Sequence, residues 1–166
     1  TAFAISATAS VYAEASQFER PLRVTLGTHY PSDGDLRDLV DDTFYSLGLS
    51  YDMWGAQMAN GNYYRGGVFG SYTFRDRNGN KLSDFAAGAF GRVYFGEGMA
   101  LRPYAGGSLG VHWVNYEIGA NDDDDLRFGT RLFAGVEHPS GFFGELGYTL
   151  AQKRRGVDIN GFGVRL

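Results

Sequence analysis

Residues Leu101 to Trp113 read LRPYAGGSLGVHW, and two incompatible readings compete for them. Gly106-Gly107-Ser108-Leu109-Gly110 matches the G-x-S-x-G signature of serine hydrolases, with His112 close behind. The same residues also alternate. Leu101, Pro103, Ala105, Leu109, Val111 and Trp113 fall on one side, and Arg102, Tyr104, Gly106, Ser108, Gly110 and His112 on the other. A nucleophile elbow needs a strand, a strained turn and a helix, so that the serine stands exposed at the strand end. Here the alternation passes through Ser108 unbroken, which leaves no place for the turn. Ser108 and His112 share a face, but four residues of strand at about 3.3 Å each separate them by roughly 13 Å, beyond hydrogen-bond reach. The stretch reads as a β-strand, Ser108 as a small residue on its inner face, and no residue is assigned as catalytic.

Working outward from this strand, the period of two persists from Pro21 to the last residue, with almost no helical periodicity. Alternating segments fall at about 21–30, 43–54, 61–75, 83–96, 99–117, 125–138, 141–153 and 156–166, the segment around Ser108 being the fifth. The connections alternate too. PSDGDLRDLVDD, RDRNGNKL, GANDDDD and KRRGV are polar and charged, whereas GEG and PSG are short turns and GAQMANG is of medium length. One amphipathic helical turn is expected around Leu36, Leu39 and Val40. Polar loops at one end and tight turns at the other predict an all-β fold, an up-and-down antiparallel barrel of eight strands over residues 21–166, of transmembrane type.

The two faces of the strands differ in chemistry. One parity collects large apolar residues, among them Leu22, Val24, Leu26, Leu47, Leu49, Val68, Leu109, Val111, Leu132, Leu146 and Val164, and carries no charge within the segments. The other parity holds Arg23, Asp52, Arg65, Asp84, Arg92, Arg102, Arg127, Arg131, Glu137, Glu145 and Arg165, interspersed with glycines. An eight-stranded barrel has an interior only just wide enough to be filled by side chains, so the bulky apolar face would overfill it and the Gly/Arg face fits. Buried charges must neutralise one another, so these residues are expected to form an ion network in the lumen. The apolar face must then meet something apolar outside, and lipid is the candidate. Tyr30, Tyr45, Tyr72, Phe74, Phe85, Trp113, Phe128 and Tyr148 gather toward the long loops, and Phe95 and Phe142 toward the turns, as two interfacial girdles. Arg92, Arg102, Arg127 and Arg131 could line an anion path, but Phe69, Phe90, Tyr104 and Phe133 are expected to plug it.

Eight alternating segments, polar loops at one end and the RPYAGGSLG strand resemble the small outer-membrane barrels of the OmpA membrane-domain, OmpX and OmpW type. The resemblance spans roughly residues 21–166 and rests on architecture. It implies a bacterial outer-membrane location and a non-enzymatic role, as envelope scaffold or surface-interaction protein acting through the loops at 31–42, 75–82 and 118–125. Such barrels usually finish on an aromatic residue; here Phe162 shares the outer face and Leu166 stands last.

Composition excludes several other classes. There is no Cys, so thiol catalysis and zinc–thiolate sites are ruled out, and a net charge of −4 gives no footprint for nucleic acid. Of 15 basic residues only Lys81 and Lys153 are lysine, a bias toward the planar, pairing cation. No cofactor and no resident metal is implied. The run Asp122, Asp123, Asp124 and Asp125 is read as a solvated loop able to bridge divalent cations weakly; it lacks the spacing of an EF-hand. The partners expected are the bilayer and its head groups, with other envelope proteins or further copies of the chain beside them. Residues 1–20, TAFAISATASVYAEASQFER, read as an extension: an extra strand, a plug or the remnant of a secretory signal ending near Ala13-Glu14-Ala15. Two alternatives stay open. One is a lipid-modifying envelope enzyme with a His–Ser pair on the lipid side; His29, His112 and His138 are read as lacking a Ser two residues away, and His29 and His112 as pointing inward. The other is a soluble or self-assembling barrel whose apolar face meets other subunits.

Overall fold

The computed structural model describes residues 21–39, 41–58, 61–77, 79–96, 100–118, 121–153 and 158–166; the N-terminal extension of the sequence reading lies outside them. The strands are β1 (Leu22–Pro31), β2 (Phe44–Gln57), β3 (Tyr63–Arg77), β4 (Asn80–Tyr94), β5 (Arg102–Ile118), β6 (Asn121–Glu137), β7 (Phe143–Ala151) and β8 (Gly161–Arg165), with one short helix, α1 (Gly34–Leu39). They pair antiparallel in chain order and β8 closes on β1, giving an eight-stranded barrel. The short turns carry the backbone chemistry they need. In the β6–β7 turn, Gly141 adopts φ 96°, its N–H donates to the His138 carbonyl at 2.8 Å and the His138 N–H donates to Phe142 at 2.8 Å.

Alternation sorts the faces as the pattern predicted. Leu109 is 70% exposed on the outer surface, and Leu22, Leu26, Phe128, Leu132, Leu146 and Phe162 stand out beside it. From Leu101 to Trp113, twelve steps of about 3.3 Å on a strand tilted by roughly 40° span about 30 Å of apolar surface, the thickness of a bilayer core. A bulge between Asp52 and Trp54 lets Met53 and Trp54 both reach the outside without losing the pairing of β2 with β3.

The inner face works because its glycines vacate volume. A Cβ at Gly147 would lie 2.6 Å from Cζ of Arg131, so the guanidinium occupies the space a side chain would take. Over the loop end of the lumen sits an apolar cap built from Leu36 of α1, Phe44, Leu82, Val114 and Tyr116, with Ile159 from the chain before β8. The expected amphipathic turn is therefore real, and Leu36 is its anchor.

Three boundaries differ from the sequence reading. Asn121–Asp125 is the start of β6, paired with β5 from Ile118 to Val114, so the run predicted as a loop is strand. The β3–β4 connection predicted at 75–82 is likewise a tight hairpin, with Arg75↔Leu82 and Arg77↔Asn80 still paired and Gly79 at φ 80° near its tip. Finally β7 stops at Ala151 and β8 starts only at Gly161, because Ile159 leaves the sheet for the cap and the Asn160 side-chain oxygen accepts the Ala151 N–H at 2.5 Å.

Candidate functional site

The lumen gathers most of the charges that alternation assigned to it. Near the turn end Asp52, 2% exposed, accepts from Arg92 and lies 3.3 Å from Arg65. Arg23 pairs with Glu137 and also donates to Tyr94 Oη at 3.1 Å and Tyr104 Oη at 3.3 Å. Tyr94 completes that cluster by donating to Glu137 at 2.7 Å. A second cluster follows: Glu145 accepts from Tyr104 Oη at 3.0 Å through Oε2 and from Arg131 at 2.5 Å through Oε1. The guanidinium of Arg23 also lies over the Phe143 ring, 4.2 Å from its centroid, and that of Arg92 over Phe90 at 4.9 Å. Charge in this low-dielectric interior is thus matched by opposite charge, hydroxyls and ring faces on neighbouring strands, as burial demands.

At the loop end Arg127, with 0% exposure, lies 3.4 Å from Asp125. His112 Nδ1 is 2.8 Å from Asp84, and His29 Nε2 is 3.0 Å from the Ile159 carbonyl, tying the barrel wall to the cap. Between the cap and the turn-end clusters lies a cavity of about 90 Å³. Phe90 lines this cavity, and both Phe90 and Tyr104 are buried in the lumen, so among the described residues aromatic side chains fill the path toward the turn end.

Arg102, assigned to the lumen by its parity, stands at the rim instead. It starts β5 at the turn-end rim, is exposed, and makes none of the ion pairs of the described residues. Its parity is inward, but a side chain one step from the strand end reaches solvent instead of the packed interior. Ser108 does face inward, with Phe90 and Arg131 as its cross-strand neighbours, so no base adjoins it from either side.

The aspartate run does not converge on a point. Being strand, it sends alternate carboxylates to opposite faces. Asp123 accepts from Tyr116 Oη at 3.4 Å, Asp124 accepts from the Trp113 indole at 3.2 Å on the outside, and Asp125 turns to Arg127. Nearby, Lys81 pairs with Glu117 at 3.1 Å. The first loop is clasped to the β3–β4 hairpin through Asp41, which accepts from Arg75 and, at 2.8 Å, from Arg77. The Asp42 N–H, donating to the same carboxylate, and these two guanidiniums hold the Asp41 carboxyl below its ordinary range.

One contact corrects the reading that no Ser stands two residues from His138. His138-Pro139-Ser140 places Ser140 Oγ 2.6 Å from His138 Nδ1, on the exposed β6–β7 turn. The same Nδ1 accepts the Ser140 N–H at 3.1 Å. The imidazole is therefore engaged by two donors of one residue, the geometry of a side chain capping its own turn. The i, i+2 spacing stands plainly in the sequence, and the reading that denied His138 such a serine was wrong.

No protein-family model and no curated protein matches the chain. Its fold is similar to that of the outer membrane enzyme PagL, with TM-score 0.62 and 17% identity over 86% of this chain and 95% of that one. It is also similar to Neisserial surface protein A (NspA), with TM-score 0.56 and 16% identity over 89% of this chain and 97% of the other. These likenesses are of fold, and the fold they share with this chain is that of a small, closed, eight-stranded outer-membrane barrel.

Proposed function

We propose that the chain is a non-enzymatic barrel of the bacterial outer membrane, an envelope scaffold that presents its loop end as an interaction surface. The observation that carries this reading is the form of that end. The β3–β4 and β5–β6 hairpins continue their ladders well past the aromatic girdle, to Arg77↔Asn80 and Ile118↔Asn121, and are fixed by Lys81–Glu117 and the Asp41 clasp. Between them lies a groove lined by Tyr72, Phe74, Asp76, Lys81, Asn115 and Glu117. A prearranged surface of aromatic and charged groups costs little ordering entropy on binding, which suits contact with head groups, envelope proteins or a second copy.

Lys81 and Lys153, the two lysines, both lie at this end. A membrane-impermeant amine reagent on whole cells should therefore label the chain, and K81R/K153R should lower the labelling to that of the N-terminal amine. Labelling that needs permeabilised cells would contradict the surface role. An enzymatic reading has one specific observation in its favour, the His138–Ser140 contact on a fold shared with an outer membrane enzyme. Acyl release from bacterial lipids by the reconstituted protein, lost in Ser140→Ala, would establish that reading and overturn ours; the expected result is no release by either protein.

A further inference from the structure

The ion pairs of the lumen are not one to one. Among the described residues its arginines are Arg23, Arg65, Arg92, Arg127, Arg131 and Arg165, and its inward carboxylates are Asp52, Asp84, Asp123, Asp125, Glu137 and Glu145. Asp84 is engaged by His112 and Asp123 by Tyr116. One guanidinium is left without a carboxylate beside it, and it has a definite address. Arg165 of β8 stands opposite Glu145 of β7 in the ladder, the natural partner for it. Both oxygens of Glu145 are engaged elsewhere, Oε1 by Arg131 and Oε2 by Tyr104. Among the described residues no carboxylate lies within ion-pair distance of Arg165. Arg131 spends one arm on Glu145, while its Nη2, on a residue only 8% exposed, has no hydrogen-bond partner. Arg131 is also the foremost of the charges that repel Arg165.

Two guanidiniums thus flank one carboxylate that pairs with only one of them, and both line the lumen cavity. A buried, unpaired guanidinium is costly in this setting, and a like charge beside it raises the cost. Asp84 and the two histidines line the same cavity, but Asp84 opposes Val114 in the ladder while Arg131 opposes Ser108, some six residues of β5 nearer the turn end.

We propose that Arg131 and Arg165 together hold one small monovalent inorganic anion, of the halide class, at the turn-end pole of the lumen cavity. The free Nη2 of Arg131 and the guanidinium of Arg165 donate to it, and the cavity volume admits an ion of that size with accompanying water. The anion supplies the partner that the strand register denies to Arg165, so it is part of the folded lumen and not a transported solute.

Crystals of the detergent-solubilised protein grown in bromide test this directly. An anomalous difference peak is expected between Arg131 and Arg165 in the parent protein and is expected to vanish in Arg165→Gln, which leaves Glu145 with both its donors. Water alone in the parent cavity, or a peak that survives in Arg165→Gln, overturns the proposal. In solution at fixed ionic strength, exchanging gluconate for bromide should raise the melting midpoint of the parent and leave that of Arg165→Gln unmoved. A parent midpoint indifferent to the anion also counts against it, whether or not the variant folds.

Discussion

Gly106 and Gly107 are neighbours in sequence and face opposite sides of the wall, which makes them a matched pair for testing which side is packed. A Cβ at Gly106 would lie 2.7 and 2.8 Å from carbons of the Phe133 ring and closer still to the Gly91 carbonyl oxygen. The ring is confined in the lumen and the carbonyl belongs to the β4–β5 ladder, so neither can retreat cheaply. Overpacking of this kind costs about 1–3 kcal/mol. A Cβ at Gly107 would find Leu132 Cδ2 at 3.4 Å and the Arg131 carbonyl oxygen at 3.6 Å, both ordinary contacts. There the smaller entropy of an unfolded alanine chain should stabilise by about 0.4–1 kcal/mol. The two variants should thus differ by roughly 1.4–4 kcal/mol, about 10- to 1000-fold in the folding equilibrium. Reversible urea unfolding of protein refolded into lipid vesicles measures it, with the electrophoretic shift on boiling as readout. Equal loss in the two variants, or a greater loss in Gly107→Ala, would refute the assignment of the faces.

Other perturbations probe separate parts of the account. Asp52→Ala removes the acceptor shared by Arg65 and Arg92 and leaves Arg92, 4% exposed, uncompensated; breaking such a buried pair should cost about 3–5 kcal/mol in the same unfolding assay. Leu132→Arg places a charge on the outer surface level with Gly107, near the middle of the apolar band, and should cost about 2–4 kcal/mol in vesicles. A cost near zero would mean that this face is wet. For the loop clasp, the Asp41 carboxyl titrates lower folded than unfolded, so its contribution is present above the ordinary carboxylate range and is lost as pH falls through the depressed folded value. Protease cleavage within residues 32–43 should stay slow from neutral pH down to the ordinary carboxylate range and quicken only below it, whereas Asp41→Asn should be cleaved readily at every pH.

The barrel was legible because one rule governs almost every strand. Leu109 and Arg131 went to their correct sides from parity and lumen volume alone. Where the reading failed, composition outweighed pairing. Four consecutive aspartates argue against a strand on propensity, yet β5 supplies a ladder for them and the alternation continues through Asp123, Asp124 and Asp125. Arg102 failed for the opposite reason, since parity fixes a direction but not a depth, and at a strand end an inward residue reaches the rim. Ile159 illustrates a third limit: its role as part of the cap depends on α1 folding back over the lumen, which no local pattern records. The pairing within the lumen was out of reach for the same reason, because the competition of Arg131 and Tyr104 for Glu145 depends on cross-strand register.

The central claim is that the apolar outer face meets lipid. Extraction tests it most directly: membranes from expressing cells are washed with high salt and alkali, then solubilised with detergent, and the extract is run with and without boiling. The account predicts that the protein stays with the membrane until detergent is added and migrates differently before and after boiling. Recovery in the soluble fraction without detergent would contradict it.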